Sequence, residues 1–235
     1  MKEPRLYHCT SFDSLCKILE SGHFRPSFCL EQSNFMSAYP DGAYAVVCFA
    51  DLLKEERKRH MKSFKSNSYI VMNKKWALDN LVTPVLYYHS GTVPSAFMKN
   101  WCEYIINNNL THKTDNSIDL PVKTTSIMFA FMKQYEGVYF DKKRKKFSEE
   151  KRIFYLEREW RWIPHVTQGE AYYLPREEYL DEDIHQRELT KLINHGLVLE
   201  FNYDNIEEIG IPSDKGNILL QTYPELSNKI KYINS

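Results

Sequence analysis

Residues Ala43 to Phe49, AYAVVCF, form an unbroken apolar run of strand length. A run of this kind fits a central strand buried on both faces. Further strand candidates are Leu6 to Cys9, Ser68 to Met72 (SYIVM), Pro84 to His89 (PVLYYH), Gly196 to Phe201 and Ile206 to Ile211. Helices are expected between them. Ser11 can cap a helix that carries Asp13 in its first turn, shows Leu15, Ile18 and Leu19 on one face, and stops at Gly22. Residues 23 to 42, with Pro26, Pro40 and Gly42, read as an irregular loop. Asp51 to Met61 reads as a charged surface helix, with short helices at Lys74 to Leu81 and Lys215 to Thr222.

The middle of the chain differs. Ser95 to Asn107 is an amphipathic helix with Phe97, Trp101, Tyr104 and Ile105 on its apolar side. A polar stretch separates it from a second helix near Lys123 to Met132, and the two read as a helical insertion over about 95–132. Strands and helices mix without regular βα alternation, so the expected class is α+β, as a single domain over 1–235. With 43% apolar residues the chain can bury one sizeable core.

Lys+Arg and Asp+Glu number 31 each, so no global charge favours nucleic acid or membrane as the main partner. Cys9, Cys16, Cys29, Cys48 and Cys102 are odd in number and lack C-x-x-C spacing, so neither a disulfide framework nor a metal site is indicated. The N-terminus, MKEPRLYHCTS, has no apolar signal-peptide core, and no stretch approaches the ~18 continuous apolar residues of a span. The expectation is a cytoplasmic protein with no membrane partner.

Two stretches carry possible chemistry. In EREWR, an extended chain would project Glu157, Glu159 and Arg161 from one face and Trp160 and Trp162 from the other. Such a row is either a solvated ladder on the outside of a sheet or part of a site. In LYHCTS, His8 ends a strand, where a histidine is either structural or functional. The KKRKK run at 142–146 reads as a solvated loop, with a nucleic-acid-binding module as the rival use.

LYHCTS, the helix ending ILESG, then Phe24 and Pro26, resemble the first motif of ADP-ribosyltransferases of the diphtheria-toxin and poly(ADP-ribose) polymerase type; AYAVVCFADL and EREWR resemble their later strands. LYH-x-TS, PSFCLE at 26–31, VVCFADL with His60 one helix later, VLYY, Lys133-Gln-Tyr-Glu-Gly137, and EREWR followed by IP are together similar to the abortive-infection AbiGi family of phage-resistance proteins, from about Leu6 to Ile211.

The transferase resemblance implies a split antiparallel sheet around a cleft between the 6–10 and 157–163 strands, with NAD as substrate. It implies that His8 bonds a ribose hydroxyl and that Thr10 steadies the turn. Glu159 would be the catalytic carboxylate, stabilising positive charge on the sugar, with Glu157 either supporting it from behind or orienting the acceptor and Arg158 or Arg161 keeping Glu159 ionised. Tyr7, Tyr44, His60 and Arg161 would line the cofactor, and Tyr39, Tyr44 or Tyr69 would stack on nicotinamide, unless His60 takes that part of the cleft instead. Cys9 stands where those transferases have glycine. The acceptor would be a protein or nucleic acid. The AbiGi resemblance implies instead an antitoxin-like partner of a toxin in a two-component system, with a degenerate nucleotide cleft.

Overall fold

The computed structural model describes residues 3–31, 41–107, 125, 127–141, 144–164 and 172–233. Its strands are β1 (Arg5–Thr10), β2 (His23–Phe24), β3 (Ser27–Glu31), β4 (Gly42–Leu52), β5 (Ser68–Met72), β6 (Thr83–Pro84), β7 (Leu86–Tyr88), β8 (Met132–Gln134), β9 (Glu136–Asp141), β10 (Lys146–Ile153), β11 (Glu159–Trp162), β12 (Tyr173–Pro175), β13 (Leu199–Glu200), β14 (Ile206–Pro212) and β15 (Ile230–Ile233). The main sheet runs β15-β14-β5-β1-β4-β11-β6, with β3 and β12 also paired to β4. All its pairs are antiparallel except β14 with β15. The fold is α+β.

β4 holds the centre. Residues 42–47 are buried without a break, as the apolar run requires of a strand covered on both faces. On one face Leu6, Val47, Phe49, Ile70 and Met72 pack with helix α1 (Phe12–Ser21) and with Trp76 of a short helix, Lys74–Asp79. On the other, Tyr7, Ala50, Leu52, Tyr69 and Val71 pack with Met61 of helix α2 (Arg57–Ser63). The α1 caps are those read from sequence: the Ser11 side chain accepts from the Ser14 backbone N–H, and Gly22 takes φ 66°, a left-handed turn that glycine adopts without strain. Gly210 is needed for another reason, since a Cβ there would lie 1.9 Å from the buried Tyr69 ring.

Several expectations are corrected. β1 and the EREWR strand are not neighbours; β4 lies between them and pairs with both. Residues 23–31 are not irregular but form β2 and β3; the rest of that segment, with Tyr39 and Pro40, lies largely outside the described residues. The helix expected from Asp51 starts only at Arg57, because β4 continues to Leu52. The 196–201 strand shrinks to Leu199–Glu200. Of the insertion, helix Val93–Asn107 is present, and 127–130 are helical, but Met132 already belongs to β8; residues 108–124 lie outside the described set. The basic run sits at the turn of the β9–β10 hairpin, with residues 142 and 143 undescribed. There Arg144 faces Asp141 at 3.8 Å and Lys146 faces Glu149 at 3.6 Å.

Candidate functional site

One edge of β4 forks. Ala50, Asp51 and Leu52 pair with Tyr7, Leu6 and Arg5, whereas Val46 back to Gly42 pairs with Ser27 to Glu31. Residues 47–49 therefore face a gap where β1 leaves β4 and stays with β5 alone. His8 bridges it, with Nδ1 2.9 Å from the Cys48 carbonyl oxygen. A carbonyl can only accept, so Nδ1 carries the hydrogen. Burial pushes the His8 pKa down, the Cys48 carbonyl opposing, so the ring is neutral near pH 7 and Nε2 presents a lone pair. The imidazole thus has a structural duty, satisfying an acceptor that the ladder has abandoned, and a spare acceptor besides.

A cleft of about 330 Å³ opens at this fork. β1, β3 and β4 line one side and β8, β9 and the 3-10 turn Phe154–Glu157 the other. Tyr7, His8, His60, Glu157 and Glu159 all line it, as does Lys133. Thr10, Tyr44 and Arg161 are not among its lining residues. Thr10 pairs with Ser68 at the end of β1, and Tyr44 packs on the Tyr173 ring at 5.3 Å. Tyr69 is spent elsewhere, its hydroxyl donating to Glu208 at 2.6 Å.

The EREWR segment is extended only from Glu159. Glu157 closes the 3-10 turn and Arg158 has φ 41°, so the three-residue row expected from an extended chain is broken there. From Glu159 the pleat holds: Glu159 and Arg161 share one face, Trp160 and Trp162 the other. The reading of a solvated ladder does not survive for Glu159 and Arg161, which are 5% and 1% exposed. They are paired instead. Arg161 Nε donates to Glu159 at 2.7 Å, Nη1 to the Ala130 carbonyl at 2.7 Å, and Nη2 to Glu31. Lys133 Nζ reaches Glu159 at 2.6 Å and Glu157 at 2.9 Å, over the Phe154 ring.

The result is a buried chain of charge, Glu31–Arg161–Glu159–Lys133–Glu157. Burial alone would raise the Glu159 pKa, but Arg161 and Lys133 outweigh it and hold the carboxyl well below the usual range. Glu157, with Lys133 as its cation and Glu159 as an anionic neighbour, is pushed up by burial. Arg158 takes no part; it donates to the Asp51 carbonyl at 2.6 Å and pairs with Glu56. Sequence reasoning gave no role to Lys133 or Glu31. Both stand inside motifs that carried the family resemblance, Lys133 opening K-x-Y-x-G and Glu31 closing PSFCLE, and that was the available signal.

The register also separates the two expected partners. Ala50 pairs with both Tyr7 and Glu159, so those three form one row and share a face. With strands ~4.8 Å apart, Tyr7 and Glu159 sit roughly 10 Å from each other across β4. His8, one residue on, points to the opposite face, against Phe24 at 4.9 Å and Phe49 at 5.5 Å. Only the fork lets both reach one cleft.

His60 lies against Phe64, ring centroids 4.6 Å apart. Burial and the Lys133 cation lower its pKa to about 4, against some opposition from Glu159. A histidine depressed in the folded state stabilises fully above its unfolded pKa of ~6.5 and loses that contribution as pH falls toward the folded value. Between pH 7 and 5 the loss from His60 is expected to reach about 2 kcal/mol. His8 acts in the same direction and Glu157 in the opposite one. Urea midpoints at the two pH values check this, with a clearly shallower pH slope expected for His60→Gln.

Among the described residues no group of three or more His, Cys, Asp or Glu could hold a metal ion, and no helix is long and apolar enough to cross a membrane. Residues 23–212 match the family described as "Putative abortive phage resistance protein AbiGi, antitoxin", and the chain belongs to that family. The abortive phage resistance protein AbiGi of Lactococcus lactis subsp. cremoris is 26% identical over 148 residues, covering 59% of this chain and 57% of that protein. The match thus spans little more than half the length of that relative. No solved structure matches the chain.

Proposed function

We propose that this AbiGi-family chain is the non-catalytic, antitoxin-like partner in a two-component abortive-infection system, with a cleft that binds a nucleotide without cleaving it. The family description supplies the antitoxin half of this reading. The observation that carries the non-catalytic half is the state of Glu159. Both of its carboxylate oxygens are occupied, one by Arg161 and the other by Lys133, in a buried strand. A carboxylate that is to meet a sugar hydroxyl as positive charge builds on the ring must give up one of these partners, and uncovering a buried charge is expensive. Cys9 fits the same reading: it lines the cleft at the position where the resembling transferases have glycine.

Co-expression tests the partner half. The tagged chain, produced with the toxin encoded in the same phage-defence locus, is expected to co-purify with it and to relieve its toxicity. Toxicity that persists undiminished with no complex recovered contradicts the proposal. ADP-ribosyl transfer is the second reading, favoured by one observation: His8, His60, Glu157 and Glu159 line a single cleft. It requires Lys133 to move away from Glu159.

A further inference from the structure

We propose that Arg25 is a phosphate-binding residue at the mouth of the cleft, and that the ligand is a mononucleotide whose base and sugar lie inside while its phosphate stays at the lip. This rests on the nucleotide-cleft reading above and specifies which ligand and which end goes in.

Charge sets the orientation. The buried chain holds three carboxylates (Glu31, Glu157, Glu159) against two cations (Lys133, Arg161), and both cations are committed to those carboxylates. A phosphate pushed to that end would meet net negative charge. A neutral head suits it better. Tyr139 and Phe140 on the wall offer aromatic surface to a base, one face of Tyr139 being taken by Arg152 at 3.6 Å, and the His8 Nε2 lone pair can accept from a sugar hydroxyl, which is a donor.

The lip is different. Arg25 lines the cleft and is exposed, and among the described residues nothing pairs with it. It occupies the two-residue link between β2 and β3, with Phe24 and Phe28 buried on either side and Pro26 buried next to it. A residue before proline is confined to extended backbone, so the base of the Arg25 side chain is fixed at the fork rather than carried on a mobile loop. Its guanidinium offers the planar pair of donors that phosphate oxygens accept best. Size decides between one nucleotide and two: at about 330 Å³ the cleft is near the bottom of the ~300–1,000 Å³ range of ligand pockets, enough to enclose one nucleoside.

Calorimetric titration of the purified chain with AMP, adenosine and inorganic phosphate tests this, on the natural sequence and on Arg25→Ala and Arg25→Lys. AMP is expected to bind about tenfold more tightly than adenosine, and inorganic phosphate more weakly than AMP. Arg25→Ala should abolish the AMP advantage and leave adenosine unchanged; Arg25→Lys should restore part of it, and added salt should shrink it. Arg25 is exposed, so neither substitution threatens the fold. Equal affinity for AMP and adenosine, or an AMP affinity that Arg25→Ala leaves intact, overturns the anchor while the cleft reading stands. Inorganic phosphate binding as tightly as AMP overturns the mononucleotide. Failure of AMP and adenosine alike to bind at millimolar concentration overturns this proposal and the nucleotide cleft together.

Discussion

Replacing Arg161 by alanine is expected to lower folding stability by about 3–5 kcal/mol at pH 7, the cost of breaking a buried ion pair from one side. Arg161 is 1% exposed and ties three segments together: β11 through Glu159, β3 through Glu31, and the 127–130 turn through the Ala130 carbonyl. Its removal leaves a buried carboxylate with one cation instead of two and a buried carbonyl without this donor. Glu31 suffers least, because 26% of its side chain already reaches solvent. The double replacement Glu159→Met with Arg161→Met removes both charges and should recover much of the loss, since apolar groups of similar size are tolerated where an orphaned charge is not. Lys133 keeps Glu157 in that background. Urea unfolding of the single and double variants checks the pair; a loss below about 1 kcal/mol for Arg161→Ala would mean the guanidinium is not the clamp described.

Lys133→Met should act as strongly and leave a different signature. Lys133 is the shared cation of Glu157 and Glu159, and Glu157, whose side chain is 15% exposed, loses its neutralising partner while Glu159 retains Arg161. A loss of about 3 kcal/mol at pH 7 is expected. The pH response should then reverse. Glu157 is already raised by burial, and without the ammonium it rises further above its unfolded value of ~4.3. An acid raised in the folded state binds its proton preferentially there, so stability grows as pH falls from 7 toward that unfolded value. The natural protein should lose stability over the same interval, because His60 must charge. Removing Lys133 also relieves His60 of a cationic neighbour, which reinforces the contrast. Parallel pH profiles for the two proteins would contradict the placement of Lys133 between the carboxylates.

What could be read from the chain follows its physics. Ala43 to Phe49 was legible as a central strand because a strand covered on both faces leaves no polar residue in its run, and α1 was legible because Ser11 and Gly22 punctuate it. The β9–β10 hairpin was not: Glu149, Glu150 and Lys151 on an exposed two-stranded ribbon show no alternation tied to a core. The order β1-β4-β11 was beyond local reading, since strand adjacency depends on contacts between distant segments. The same holds for the site. Alternation correctly put Glu159 with Arg161 and the tryptophans opposite, but a solvated face and a buried ion pair share that pattern. What distinguishes them is Lys133 and Glu31, which arrive from β8 and β3. His8 was singled out by position, yet its duty at the Cys48 carbonyl depends on a fork that no residue type announces.

Whether Glu159 serves as a fixed structural anion or as a catalytic one is decided most directly by nicotinamide release. The chain and its Glu159→Gln variant, each bound to the proposed toxin partner and each alone, are incubated with NAD, and free nicotinamide is measured. The account predicts no release above the protein-free rate from any of the four samples. Turnover by the natural sequence that disappears in Glu159→Gln would contradict it, and would mean that Lys133 yields its place to substrate.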